Sequence, residues 1–426
     1  MRRLALRGAL LAMVSTAILL PGGPAHAAPV VPTKAAAAAP VATKFGLHAM
    51  GYGTAIKGGQ IPLASGATGF AHITCTTLAN LDRNNGVAQV ELPGLGEIDA
   101  LTTKVQTVKK GKTVSAISEH KLAGITLLET ALGSLSLGAV TSRAKVWHNA
   151  TGFHSEVDTK VAGLVLTLPG QEPLVLDIPT LGKPIEIPGI LRITLGETKV
   201  TKKPGMIFAR AQALLVEILA TDTKVKIALS RARMTNEVVN SIMSGFAAGL
   251  RGKVLDPILT IGRTPSKDLP CEGTGGEEKG LSTVGLDIPG LLTVGALNAK
   301  VFGVQAGRRR ARAYAEASIA EISLLGGAVT IEGIKARANV SRRPGKLVTN
   351  SNGTETLKIV VNGEEITLPP LGEILDIPGL LSIEQGVTSK VRGGLEVVAL
   401  RVKLLDGTGA VIDLGIARAQ VKKAIR

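Results

Sequence analysis

The chain has 426 residues, with 49 Lys and Arg against 33 Asp and Glu, a formal charge of +16 and 2% aromatic residues. A basic balance points to anionic partners. The scarcity of aromatics argues against stacking on nucleic-acid bases and against sugar-holding hydrolase clefts.

Residues 1–27 begin MRRLALRG, continue through the apolar run ALLAMVSTAILL and end PGGPAHA. A basic segment, a short apolar segment and a small-x-small site predict a secretory signal peptide cut between Ala27 and Ala28. The apolar run is too short to span a bilayer, and no Cys follows it for lipid attachment. Loss of Arg2, Arg3 and Arg7 with the signal leaves a charge of +13. The expected location is therefore extracellular, in the medium or held noncovalently at the wall. Residues 28–44, APVVPTKAAAAAPVATK, have no apolar period and predict a flexible leader. The remainder is long enough for two domains.

Residues 45–235 read as a first β-domain, with an N-terminal extension at 45–85 that alternates around GFAHITCTTL (Gly69 to Leu78). Residues 236–280 read as one amphipathic helix followed by a Gly-rich linker. The helix rests on Val238, Ile242, Phe246 and Leu250 at four-residue spacing. Residues 281–424 read as a second β-domain. Within it, LKIVVNGEEITL (Leu357 to Leu368) places Asn362-Gly363 between alternating runs, a hairpin cue. Turns recur about every ten residues, so both domains are expected to be antiparallel sandwiches or barrels and not parallel sheets. The fold class is all-β: two tandem homologous domains joined by one helix and a Gly-rich linker.

The tandem reading rests on four blocks that recur in order. VELPGLGEIDALTTKV (Val90 to Val105) answers LDIPGLLTVGALNAKV (Leu286 to Val301) at an offset of 196. Leu122 to Val146 answers Ile319 to Val340, EIPGILRI (Glu186 to Ile193) answers DIPGLLSI (Asp376 to Ile383), and ALSRARM (Ala228 to Met234) answers GIARAQV (Gly415 to Val421). The repeated unit is roughly 140 residues, which means two domains and not a solenoid. The even pair Cys75 and Cys271 is expected to form a disulfide in an exported protein, with two buried thiols as the alternative.

GYGT (Gly51 to Thr54), ITCTT, VAQVELPGLGEIDAL, LAGITLLETALGSLSLGAVTSRAKV and the following Pro-Gly-Ile-Leu block resemble the choice-of-anchor P family of exported actinobacterial proteins. ISLLGGAVTIEGIKARANV in the second half is similar to it as well. The resemblance implies a surface-exposed or secreted β-rich protein and brings no catalytic residues. The C-terminal ARAQVKKAIR carries no sortase-type motif and no apolar helix, unlike anchored members, so the expectation is a released or noncovalently held protein.

No catalytic, cofactor or metal set is predicted. There is no G-x-S-x-G, no dinucleotide fingerprint, and Gly111-Lys112-Thr113 lacks the earlier glycine of a phosphate loop. His148 and His154 flank a turn and could face each other, but a metal needs three or four converging ligands. Glu277-Glu278 and Glu364-Glu365 read as solvated turns. The feature with most functional promise is a basic turn at the same place in each copy: Lys109, Lys110 and Lys112, and Arg308, Arg309, Arg310 and Arg312. These are candidate contacts for an anionic wall polymer or lipid headgroups; protection of exposed strand edges is the competing reading. The expected function is a noncatalytic structural or binding protein, with no cofactor and no nucleic-acid partner. The alternative is an exported carrier of an apolar ligand, since the aliphatic interior would also suit a tunnel.

Overall fold

Strict alternation makes the strands. In the segment Val140–Asn149, Val140, Ser142, Ala144 and Val146 are buried while Thr141, Arg143, Lys145 and Trp147 point outward. The computed structural model describes residues 38–426, apart from 58–66, 93–95, 131–132, 180–182, 220–221, 255–258, 284, 289–291, 307–308, 368–369, 371, 406–408 and 425–426. The expected signal peptide with its candidate Ala27–Ala28 cleavage site, and residues 28–37 of the expected leader, lie outside the described residues.

In chain order the first half contributes β1 (Val41–Lys57), β2 (Ala71–Ala79), β3 (Leu81–Val87), β4 (Val90–Leu92), β5 (Gly96–Ile98), β6 (Leu101–Lys110), β7 (Thr113–Leu122), β8 (Ile125–Thr130), β9 (Gly133–Leu137), β10 (Val140–Asn149), β11 (Gly152–Val161), β12 (Leu164–Thr167), β13 (Leu174–Val175), β14 (Ile185–Ile187), β15 (Leu191–Leu195), β16 (Thr198–Lys203), β17 (Met206–Ile218) and β18 (Thr223–Thr235). The second half contributes β19 (Ser241–Val254), β20 (Leu259–Asp268), β21 (Lys279–Thr283), β22 (Leu286–Ile288), β23 (Leu292–Val294), β24 (Leu297–Gln305), β25 (Ala311–Leu324), β26 (Val329–Arg343), β27 (Lys346–Asn350), β28 (Glu355–Val361), β29 (Glu364–Ile366), β30 (Ile374–Ile377), β31 (Leu381–Val391), β32 (Gly394–Leu404) and β33 (Val411–Lys423). Among the described residues there is no α-helix, only a short 3-10 turn at Leu325–Gly327.

The strand pairs are antiparallel throughout the described sheets. One sheet of the first half orders its strands β14-β15-β17-β18-β1-β2, with β16 also on β17. One sheet of the second half orders them β30-β31-β32-β33-β19-β20, the same succession. Each packs on a facing layer. In the first half that layer is two sheets, β11-β10-β7-β6-β3 and β13-β12-β9-β8-β5-β4. In the second half it is one nine-stranded sheet running β21-β24-β25-β26-β28-β29, because β25 and β26 continue where the first half breaks β7 from β8 and β9 from β10. At the second break Gly138 lies so close to the carbonyl of Ala162 that an added Cβ would stand 2.1 Å from its oxygen, and only glycine fits.

The cores are aliphatic. Leu297, Val301, Ala315, Ala317, Ala336 and Ala338 of the nine-stranded sheet meet Leu400, Val402, Leu414 and Ala417 of its partner, all at 0% exposure. Leu127, Leu135 and Val140 meet Leu191, Val216 and Ile227 in the first half. Each fully buried Leu or Val stabilises the fold by about 1.5–3 kcal/mol relative to exposure.

Three expectations are corrected. The stretch read as a helix is β19, paired with β20 on one side and β33 on the other. Its residues 241–250 are buried on both faces except Gly245, so it lacks the alternation that marks a half-buried strand. The leader ends early, since β1 begins at Val41 and is paired by Val41–Ala79 and Ala42–Leu78. The Gly-rich stretch is not a free linker. It carries β20 to Asp268, then Cys271 at 0% exposure, and its Thr274 N–H donates to the carbonyl of Gly303. The hairpin at Asn362-Gly363 forms as read, with both residues at positive φ and Val361 opposite Glu364.

Cys75 and Cys271 form a disulfide with a Cα–Cα distance of 5.2 Å. It ties β2 of the first half to the segment after β20 of the second, inside an apolar cluster with Val238 and Ile242. Arg233 and Glu272 pair across the same junction.

Candidate functional site

The hairpin β24–β25 sets the site. Its register places Phe302 opposite Tyr314, and Val304 opposite Arg312. The next pairing places Tyr314 opposite Asn339, Arg312 opposite Ser341 and Glu316 opposite Arg337. β27 then adds Asn350 beside Asn339. All these side chains share the outer face of the nine-stranded sheet, because alternate residues Ala311, Ala313, Ala315 and Ala317 take the inner face. The result is a cleft of about 420 Å³ lined by Phe302, Arg312, Tyr314, Arg337, Asn339 and Asn350, among others.

Its walls are ordered by cation–ring contacts. The Phe302 and Tyr314 rings stack with centroids 5.0 Å apart and planes 8° from parallel. The Arg337 guanidinium lies 4.0 Å from the Tyr314 centroid, and that of Arg312 lies 5.4 Å from Phe302. Arg337 is fully occupied: it pairs with Glu316 at 2.6 Å and donates Nε–H to Asn339 Oδ1 at 3.1 Å. Asn339 in turn donates to Asn350 Oδ1 and to the carbonyl of Asn352, both at 3.0 Å. The Tyr314 hydroxyl donates to Glu278, which also pairs with Lys300 at 3.6 Å. Burial, then this carboxylate, pushes the Tyr314 phenol up to about 12, and the hydroxyl hydrogen bond holds Glu278 below the usual carboxylate range. The phenol is therefore a fixed donor and not an acid–base group near neutral pH.

Arg312 differs from Arg337. It is exposed, and among the described residues no acid pairs with it. Arg309, at φ 61, and Arg310 are also exposed, at the hairpin tip; Arg308 lies outside the described residues. The turn Lys109, Lys110 and Lys112 occupies the corresponding β6–β7 hairpin and is exposed. β6, β7, β24 and β25 each have a partner strand on both sides, although the β3 partner of β6 stops opposite Thr107 and the β21 partner of β24 stops opposite Val301, short of the two turns. Arg312 lines the cleft, Arg309 and Arg310 sit at the tip of the same hairpin, and the three lysines sit at a separate tip.

The first half carries a smaller counterpart. Trp147 stacks on His154 with centroids 5.4 Å apart, and Lys145 Nζ lies 4.8 Å from the indole. His148 and His154 do not face each other: the two-residue turn at Ala150-Thr151 sets Trp147 opposite His154 and His148 opposite Phe153, on opposite faces. His154 Nε2 is held by Thr151 at 2.8 Å and Asn149 at 3.0 Å. Among the described residues no three His, Cys, Asp or Glu side chains converge as metal ligands, and no helix is long and apolar enough to cross a membrane.

Phe302, Tyr314 and Trp147 are absent from the sequence-based site. Hairpin symmetry could have found the first two, since both lie six residues in sequence from Arg308. No family model, curated protein or solved structure matches the chain.

Proposed function

We propose that the protein is an exported, noncatalytic binding protein of two copies of one β-sandwich module, and that the Arg312 cleft engages an anionic wall polymer. The single observation that carries this reading is the Arg312 guanidinium, which no acid pairs among the described residues, beside the Phe302–Tyr314 stack. An unpaired cation supplies charge attraction, the ring edges supply apolar contact to a sugar or polyol, and Asn339, Asn350 and Ser341 supply polar groups along the floor. The module reading is supported by the shared strand order and by Cys75 and Cys271, which fall at the same offset of 196 as the Pro-Gly blocks. The module then begins at β1 and β19, earlier than the four repeated blocks suggest. Export, and membership of the choice-of-anchor P family, belong to the same proposal and rest on the signal pattern and the quoted motifs. The concave site is polar-rimmed and outside the sandwich core, which favours polymer binding over an apolar carrier.

Purified mature protein is expected to bind polyglycerol phosphate and dextran sulfate, to ignore neutral dextran, and to weaken as salt rises. Arg312→Glu is expected to weaken binding at least ~10-fold, since ~1.4 kcal/mol per tenfold is within the range of one charged contact. Tyr314→Ala should weaken it by a smaller factor. Calorimetry showing equal binding of neutral dextran, or unchanged binding by Arg312→Glu, overturns the reading. Preferential binding of anionic lipid vesicles would reassign the partner to headgroups.

A further inference from the structure

The sheet β14-β15-β17-β18-β1-β2 carries an unusual row on its outer face. Cross-strand pairing sets His72 opposite Met50, Met50 opposite Arg231, Arg231 opposite Arg210, and Arg210 opposite Lys199. The corresponding row of the second half reads Asp268, Phe246, Arg418, Glu396, Ser389. There Arg418 faces a carboxylate and pairs with it at 3.5 Å. In the first half the same place holds a second arginine. Like charges directly opposite on neighbouring strands repel, so something must compensate them.

The chain's own acids do so only in part. Arg210 pairs with Glu197 at 3.1 Å and donates Nη2–H to Gln212 Oε1 at 2.7 Å. Arg233, two residues along β18 on the same face, pairs with Glu272. Arg231, between them, has no acid in ion-pair range among the described residues. The Nε–H groups of Arg210, Arg231 and Arg233 are all buried and none has an acceptor among the described residues. Buried guanidinium donors left unsatisfied are costly, and three on one patch of sheet are not a packing accident.

We propose that this patch is an oxyanion site for a phosphate group, bound by Arg231 with Arg210 and Arg233. Guanidinium forks match phosphate oxygens, and arginines on two neighbouring strands can offer donors to one such group. The Tyr52 hydroxyl lies in the same neighbourhood: burial makes it a weaker acid than an ordinary phenol, and the fields of Arg231 and Arg210 oppose that effect. The other titratable groups in reach are His48, His72 and Asp268. Burial holds both imidazoles below their ordinary value, so they are neutral near pH 7 and add no further positive charge to the row. The phosphate could be free or carried by a polymer; the recognised chemistry is the same. This site lies on a different sheet from the Arg312 cleft and does not depend on it.

The test uses the mature protein and its thermal midpoint, with inorganic phosphate against chloride at equal ionic strength. Phosphate is expected to raise the midpoint by several degrees through binding to the folded state, and calorimetry to show one site. Arg231→Gln should weaken phosphate binding ~100-fold, the loss typical of one buried charge pair. Arg210→Glu writes the second half's Arg–Glu pair into the first. It is expected to raise the midpoint in chloride and to abolish the phosphate response. Equal midpoints of the wild type in phosphate and chloride, or a phosphate shift that survives in Arg210→Glu, overturn the proposal. Glycerol phosphate polymer that displaces inorganic phosphate from this site would assign the group to a polymer, and polymer that leaves the phosphate shift unchanged would assign it to the free anion. Loss of polymer binding in Arg312→Glu with an intact phosphate shift separates this site from the cleft.

Discussion

Replacing Cys75 and Cys271 together with alanine is expected to lower the unfolding free energy by about 4–5 kcal/mol, the entropic gain of closing so long a loop. The two residues are 196 apart in the chain, so the bond confines the unfolded chain strongly. Further loss comes from the apolar cluster with Val238 and Ile242, into which the sulfurs pack. Guanidinium unfolding checks this through the midpoint at constant slope. Cys75 and Cys271 are 6% and 0% exposed, so a brief exposure of the native protein to reductant should leave the bond intact. A loss below about 1 kcal/mol would mean that non-covalent contacts alone fix the junction of the halves.

Acid is expected to weaken the fold over a definite window. His120 is 0% exposed and shares one hydrogen bond, with the Thr103 hydroxyl at 2.8 Å. Burial holds it at about 4 instead of 6.5. His48 is also held at about 4, chiefly by burial; Asp268 opposes the shift, and His72, Arg233 and Arg231 add to it. Between these values the unfolded chain binds protons that the folded chain refuses, so stability falls as pH falls. The contribution is complete above the unfolded value near 6.5, declines through the window, and levels off below about 4. For His120 alone the decline is about 3 kcal/mol. Urea midpoints at about pH 7.5 and about pH 4.5 measure it, and His120→Gln should flatten the curve by His120's share. An unchanged slope in that variant would show that the buried imidazole does not drive acid sensitivity.

The strands whose one face meets the core were legible in the sequence. The alternation of Thr141 to Trp147 and of Ile334 to Val340 became β10 and the end of β26, and Asn362-Gly363 turned where turn chemistry requires. β19 was not legible, because Met243, Ala247 and Leu250 face one core while Ile242, Phe246 and Ala248 are covered on the other side. A strand buried twice has no period of two, and its apolar residues then coincide with helical spacing. The cysteine pairing followed from compartment and parity, but the burial of the surrounding glycine-rich stretch depends on a segment nearly two hundred residues away. For the cleft, composition misled. Nine aromatic residues in the whole chain seemed too few for a ring-lined site, yet cross-strand register sets Phe302 and Tyr314 side by side. Average abundance carries no information about such local convergence.

Trp147 is the sole tryptophan and sits on β10, in the first half. Indole emission is therefore a reporter for one half alone, whereas backbone circular dichroism sums both. Superimposable melting curves from the two signals would establish that the halves unfold as one cooperative unit. If the curves separate once the Cys75–Cys271 bond is removed, that single covalent tie is what fuses two folding units into one.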